Sequence, residues 1–150
     1  MSRSPLNLLL LALPALALLS APALAESVRL TPVRGATYAG LVREDPVKVK
    51  VASNGKSATV SLAYPPAFCQ GGFGPIHSST KPASISKGGA LKATITYSSP
   101  STHKTFATAT IKGNFYTFGS STPVFQGTVK SVFNPSTTCD GQESFQATKS

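Results

Sequence analysis

Apolar and polar residues alternate along two neighbouring stretches of this chain, and the alternation narrows the choice of fold more than any other feature. Every second residue of 47–51 is Val, and the stretch 58–64 alternates in the same way. Successive side chains of a β-strand point to opposite faces of a sheet, so each stretch predicts a strand with one apolar face. Asn54-Gly55 lies between them, and both residues tolerate the positive φ that a type I′ turn requires. The two stretches are therefore predicted to form a β-hairpin.

The rest of the chain continues this pattern in short runs separated by Gly, Pro and Ser. No window of a dozen residues shows the 3.6-residue apolar period of a helix, so little or no helix is expected. Short strands at this spacing are typical of an all-β fold, and we predict a single antiparallel β-sandwich or small barrel of about seven or eight strands. Besides the hairpin, the predicted strands are 37–42, 90–97, 106–115, 124–133 and 144–148.

Two glycines lie inside predicted strands at positions where an apolar side chain is expected. Gly113 and Gly127 each share the parity of the apolar residues around them. A glycine within a strand usually marks a bulge, a sharp bend or the close approach of another backbone. Both positions favour a strongly curled sheet, and hence a barrel over a flat sandwich. The conformation of the Ser/Thr/Pro-rich segment 75–86 is left open.

The first 25 residues have the composition of an export signal. Arg3 is their only charged residue, and the twelve residues 8–19 are almost wholly Leu and Ala. A helix of that length reaches about 18 Å, short of the roughly 30 Å hydrocarbon core, which disfavours the alternative of a retained membrane anchor. The Ala-x-Ala motif at 23–25 predicts cleavage after Ala25. We expect a secreted, extracellular protein (periplasmic if the cell has an outer membrane) in which 26–150 form a single all-β domain.

The predicted domain is basic and poor in carboxylates. It carries ten Lys and three Arg against five Asp and Glu, a formal net charge of +8, and 33 of its 125 residues are Ser or Thr. This composition excludes a coiled coil, a collagen repeat and a polytopic membrane protein. The charge favours attraction to anionic surfaces or polymers, whereas lysines on exposed strands also serve to discourage edge-to-edge pairing.

Cys69 and Cys139 are the two cysteines of the chain, and we predict that they form one disulfide bond. Export compartments are oxidising, and a single pair permits one connectivity. In the chain-entropy model a loop of this length contributes roughly 4 kcal/mol. A reactive thiol or a metal ligand is the alternative, but no third Cys or nearby His completes a zinc spacing.

Few residues of the domain suit catalysis. The neighbours Glu44 and Asp45 read as turn residues with diverging side chains, unlike the facing carboxylates of a glycosidase. No Gly-x-Ser-x-Gly elbow, phosphate-binding glycine motif or metal-ligand spacing occurs. No catalytic residue, cofactor or metal is therefore predicted. A small secreted hydrolase that uses His77 or His103 is the alternative.

The predicted function is a secreted, non-catalytic binding or surface-interaction module, with anionic envelope or extracellular polymers as candidate partners. Nucleic acid is disfavoured, because it calls for stacking platforms and Tyr64 and Tyr97 fall at apolar positions. Carbohydrate binding is a further possibility, which the absence of Trp counts against, and a protease-inhibitor loop over 71–82 is another. The candidate partner-binding residues are Phe73, Lys48, Lys50 and Lys81.

The order and spacing of the predicted strands, the glycines and the two cysteines form one pattern along the chain. The positions that carry it are Tyr38-x-Gly40, Val47-x-Val49-x-Val51, Asn54-Gly55-Lys56, Cys69, Gly113-x-Phe115, Gly127-x-Val129, Cys139-x-Gly141 and Phe145-x-Ala147. On this pattern, which covers roughly 36–148, the domain resembles a loose group of small exported bacterial β-proteins common in actinobacterial-type genomes. The resemblance implies an exported all-β fold and no catalytic residue.

Overall fold

The chain folds almost entirely into strands. The computed structural model describes residues 28–29, 31–67, 74–117, 122–134 and 137–150. Among these residues there is no α-helix, and hence none long and apolar enough to cross a membrane; one 3₁₀ turn, η1, spans Thr137–Cys139. The strands are β1 (Val28–Arg29), β2 (Thr37–Val42), β3 (Asp45–Val51), β4 (Ser57–Leu62), β5 (His77–Thr80), β6 (Ala83–Ser84), β7 (Ala90–Ser98), β8 (Thr105–Thr117), β9 (Val124–Phe133) and β10 (Gly141–Lys149).

The ten strands of the described residues belong to one antiparallel sheet. Their order is β5-β7-β8-β9-β10-β2-β3-β4-β6, and β1 pairs with β8 outside this path. The strands β7 to β10 pair in chain order, as do β2, β3 and β4. The two groups are joined because β10 pairs with β2. The predicted antiparallel all-β fold is confirmed.

The sheet curls until its two ends approach each other. β5 pairs with β7 and β6 pairs with β4, and two residues separate β5 from β6 along the chain. Just after β6, Ile85 forms an isolated bridge with Leu91 of β7. Tyr97 of β7 reaches β4, because its hydroxyl donates to the carbonyl oxygen of Leu62 at 3.1 Å. The strongly curled sheet predicted from the strand glycines is therefore present.

The core lies inside the curl and follows the two-residue period. In each long strand the residues of one parity are buried and most of the others face outward. Three ring contacts link Tyr38, Phe115, Phe125 and Phe145 in a row, with centroid separations of 5.0, 4.9 and 5.8 Å. Such contacts add to the apolar area that each ring buries. The row ties β2, β8, β9 and β10 together.

Some local predictions differ from the structure. The short strands β1, β5 and β6 are additional to the predicted set, and β5 has no alternation of buried residues that would reveal it. The two-residue pattern predicts Tyr64 at an apolar position, whereas β4 ends at Leu62 and Tyr64 is 41 % exposed. Pro65 and Pro66 follow directly, and proline cannot donate to a strand ladder.

The predicted hairpin is present, but its turn differs from the predicted type. β3 and β4 flank it, and the last bond of the ladder runs from the N–H of Ala52 to the carbonyl oxygen of Ser57 at 2.9 Å. Four residues rather than two therefore form the loop. Gly55 alone among them has a positive φ, of 71°, so a type I′ turn with two such residues does not form. Longer loops of this kind are built around a type I turn.

The four described carboxylates share one end of the strands. Because neighbours are antiparallel, the end of β2 lies beside the starts of β3 and β10. We call this the acidic end, and the opposite end, where β4 and β7 begin, the basic end. The carboxylates are Glu44, Asp45, Asp140 and Glu143.

Candidate binding surface

Loops at the acidic end are held by Arg43. Its Nη2 lies 2.6 Å from Oε1 of Glu143, and its Nη1 donates to the carbonyl oxygen of Ala67 at 2.8 Å. Nearby, Oδ1 of Asp140 accepts the N–H of Phe133 at 2.9 Å. Of the described carboxylates, Asp140 thus binds a backbone N–H and Glu143 forms an ion pair with Arg43.

The two histidines of the hydrolase alternative also lie at the acidic end. His77 begins β5 opposite Ser98, and His103 lies in the β7–β8 turn with a φ of 55°. The N–H of His103 donates to the carbonyl oxygen of Ser99 at 2.8 Å, and both imidazoles are exposed. Across the described ranges, no three His, Cys, Asp or Glu side chains are grouped to hold a metal ion. The fold therefore places both histidines at the acidic end. Within the described residues, neither His77 nor His103 forms a hydrogen bond with a carboxylate.

Cys139 ends η1 and packs partly buried against the core. Its predicted partner, Cys69, lies outside the described residues. The Cys69–Cys139 bond therefore stays a prediction.

The lysines predicted to bind a partner lie on the surface. Lys48 and Lys50 are exposed on the outer face of β3, and Lys81 is exposed between β5 and β6. None of them lines the three hollows described next. Phe73 lies outside the described residues.

Three segments converge at the basic end around a pocket of about 300 Å³, which we call the basic pocket. The lead-in to β2, the β3–β4 turn and the β6–β7 turn contribute Arg34, Lys56 and Lys87 respectively. Two hydrogen bonds hold these turns: the side-chain Oδ1 of Asn54 accepts the N–H of Lys56, and the carbonyl oxygen of Lys56 accepts the N–H of Ile85, both at 2.9 Å. Three cations therefore meet in one pocket.

Gly55 allows Arg34 to lie across the β3–β4 turn. A Cβ at Gly55 would lie 2.9 Å from Cγ of Arg34. The positive φ at Gly55 also favours glycine, which has no Cβ to clash in that conformation. The same residue thus closes the turn and admits the stem of the arginine.

Next to the basic pocket lies a second hollow of about 470 Å³, the middle groove, which shares Ile85 and Ser86 with it. Lys92 of β7 and Lys112 of β8 line this groove and are direct cross-strand partners on the outer face. Like charges directly opposite each other destabilise a sheet. Within the described residues neither lysine forms an ion pair, so an anion bound between them would relieve the repulsion.

A third hollow of about 600 Å³, the amide groove, crosses β8, β9 and β10 and shares Lys112, Gly113 and Asn114 with the middle groove. Asn114 lies opposite Gln126, and Gln126 lies opposite Gln146. Nε2 of Gln126 donates to Oε1 of Gln146 at 3.2 Å. We call these three side chains the amide row.

Glycine backbone forms the floor of the amide groove. Gly113 and Gly127 are cross-strand partners and both are partly exposed. A Cβ would lie 2.5 Å from Cζ of Phe125 at Gly113, and 2.9 Å from Cε1 of the same ring at Gly127. The missing side chains let the ring pack against the backbone from inside, while the outer side of the backbone stays open. Thr128 and Ser144 line the groove as well.

The three hollows adjoin one another and form one continuous track across the outer face. Within the described residues no Asp or Glu lines the track. Sequence reasoning missed it because its cations come from three turns and two strands that are distant along the chain. A usable signal was present, since each cation has no acidic neighbour in sequence. The cations are Arg34, Lys56, Lys87, Lys92 and Lys112.

Comparison of the chain with protein families, with curated proteins and with solved structures finds no match.

Proposed function

We propose that the protein is a secreted, non-catalytic binding module that engages an anionic polymer along the track. The observation that carries the proposal is the set of five cations, with no carboxylate among the described residues that line the three adjoining hollows. The described carboxylates lie at the acidic end and do not neutralise this charge. The positive net charge of the chain adds long-range attraction to an anionic partner.

Neighbouring cations of the track act together on an anionic chain. Adjacent strands lie only about 5 Å apart, which is within a Debye length of about 8 Å at physiological salt, so the potentials of Lys92 and Lys112 add. A polymer with repeated anionic groups contacts the basic pocket and the middle groove at once and releases counterions from both. A small anion occupies one hollow at a time, so the arrangement favours a polymer.

Replacing Lys92 and Lys112 together by Gln tests the proposal. We expect the affinity for polygalacturonate and for polyphosphate at low salt to fall about tenfold or more, and the slope of log affinity against log salt to decrease by about two. The measurement is a binding titration at several salt concentrations.

The matched control is Lys48→Gln combined with Lys130→Gln. These lysines are exposed on the outer faces of β3 and β9, outside the track, and the control removes the same charge. It is expected to keep most of the affinity. Equal losses in the two double variants, or no binding of either polyanion at low salt, would remove the proposal.

We also propose that the curled sheet is a small closed barrel rather than a sandwich. In support, the segment containing β5 and β6 pairs with β7 on one side and with β4 on the other. The bridge between Ile85 and Leu91 adds a second link at the same seam.

Export and the disulfide bond complete the proposal. The composition of residues 1–25 supports their removal after Ala25 and secretion of the domain that begins at Glu26. Cys139 lies two residues before the first residue of β10, which supports a bond that would hold the start of that strand.

A further inference from the structure

We infer that the anionic polymer is an acidic polysaccharide, a chain of hydroxylated sugar units that carry carboxylate or sulfate groups. This inference rests on the proposed function. The juxtaposition that carries it is the amide row beside the lysine pair, because Lys112 and Asn114 line both the middle groove and the amide groove.

Amide side chains suit sugar hydroxyls. Each amide offers an NH₂ donor and a carbonyl acceptor, and a hydroxyl is likewise both a donor and an acceptor. The bond from Gln126 to Gln146 orients the two side chains and leaves the Gln126 oxygen and the Gln146 NH₂ group for a ligand. The row crosses three strands, a distance of about 10 Å, which is suited to a chain of sugars.

The lysine pair supplies the complementary half of the site. Lys112 and Asn114 are two residues apart on β8, so their side chains leave the same face about 7 Å from each other. Lys92 lies opposite Lys112 on β7. A sugar chain that lies across these strands therefore offers hydroxyls to the amide row and anionic groups to the lysines.

Other polyanions use this surface less fully. Bases of a single-stranded nucleic acid need exposed aromatic platforms. In the described part of the track the aromatic lining is Phe145, which is 7 % exposed. Polyphosphate offers only acceptor oxygens along its chain, so it can use the NH₂ groups of the amide row but has no donor for the amide carbonyl oxygens. A sugar chain in the amide groove is held by hydrogen bonds over a glycine floor, so this contact does not need the Trp that the chain lacks.

The experiment compares probes on the secreted protein at one salt concentration. The probes are polygalacturonate, dextran sulfate, neutral dextran, polyphosphate and single-stranded DNA. We expect the two acidic polysaccharides to bind about tenfold more tightly than polyphosphate or DNA of similar length, and neutral dextran to bind weakest. The carboxylated and sulfated probes distinguish the two sources of negative charge.

A double variant tests the contribution of the amide row to binding while the lysines stay unchanged. Gln126→Ala combined with Gln146→Ala should weaken binding of acidic polysaccharides about tenfold and weaken polyphosphate binding much less, because polyphosphate uses only the amide donors. Gln142→Ala is the matched control, because this exposed glutamine lies on β10 outside the amide groove and its loss should change neither affinity. Circular dichroism checks that each variant is folded.

The outcomes distinguish the inference from the proposed function. Equal affinity for all the polyanions, tighter binding of DNA or polyphosphate, or an amide variant without effect would overturn the polysaccharide inference and leave an anionic-polymer module in place. No binding of any polyanion at low salt would overturn both. If the double amide variant fails to fold, the ranking of the probes on the unmodified protein decides.

Discussion

Gly113 and Gly127 lie at inward-facing positions of β8 and β9. Because glycine has no side chain, the space on the core side of each residue is left for a neighbouring group. The ring of Phe125 lies where a Cβ would project from either glycine. Their parity predicts a curl, but it does not reveal which ring takes the space. That ring is determined by the register between β8 and β9, in which the two glycines are partners.

Gly113→Ala is expected to destabilise the protein. The added Cβ would lie 2.5 Å from Cζ of Phe125 and 2.8 Å from Cα of Gly127, so the ring and the backbone must shift. Overpacking of this kind costs about 1–3 kcal/mol in the free energy of unfolding, which chemical denaturation measures. Gly74→Ala is the control, because nothing lies within 4 Å of a Cβ there. Equal stability of the two variants would contradict the close approach.

Tyr97 links stability to alkaline pH. Burial, and then the charge of Asp45, raise the pKa of the Tyr97 phenol well above its usual value of 10.0. Burial also raises the pKa of Tyr38. Since both phenols lose their protons more readily in the unfolded chain, the stability they contribute is complete below about pH 10 and falls as the pH rises further. The slope reaches about 1.4 kcal/mol per pH unit for a group with a large shift such as Tyr97, and Tyr38 adds in the same direction.

Tyr97→Phe is expected to make this alkaline loss of stability less steep, while Tyr38 still contributes in the same direction. At neutral pH the variant should be less stable by about 1–2 kcal/mol, because the carbonyl of Leu62 loses the hydroxyl that donates to it. Urea denaturation at several pH values measures both effects. An unchanged slope above pH 10 would contradict the assignment.

The short strands β5 and β6 have little sequence signal, yet they pair with β7 and β4 at the two ends of the sheet order. They hold four and two residues respectively. Neither is long enough to show a clear two-residue period, so local pattern does not predict them. Each is stabilised by the neighbour it pairs with, β7 or β4, and those neighbours are brought together by the curl of the whole sheet.

The start of β10 is the element that the predicted disulfide would hold. Cys139→Ser is expected to lower the free energy of unfolding by about 2–5 kcal/mol, because the unfolded chain gains freedom when the cross-link is absent. Thermal unfolding with and without reductant measures the effect. The reductant should lower the stability of the unmodified protein to that of the variant and change the variant little. Two free thiols by mass spectrometry would contradict the bond.

At the scale of the whole molecule, the distribution of carboxylates is more informative than the net charge. Lysines also lie outside the track, on β3 and β9, so a positive surface by itself does not define a site. The four described carboxylates are confined to the acidic end, where Glu143 pairs with Arg43. The cations of the track are left without such partners in the described residues, which is why the lysine substitutions in β7 and β8 are the decisive test of function.

The sequence predicts much of the fold and little of the track. The Val residues of β3, the bounds of β2 and β9, and the curl at Gly113 follow from local pattern and are found in the structure. The amide row does not follow from it, because Asn114, Gln126 and Gln146 become neighbours through register alone. The predicted Lys48 and Lys50 share a strand face, yet that face is four strands from β8 in the sheet order.

By itself, the sequence determined the seven longer strands and which side of each is buried, because a two-residue period is a local property of the chain. It also determined the excess of positive charge. The tertiary structure decided that Arg34, Lys56 and Lys87 meet in one pocket and that the pocket continues into the two grooves. These contacts depend on strand order and on the curl of the sheet, which arise from pairing between distant segments. For that reason the site belongs to the fold and is not visible as a motif.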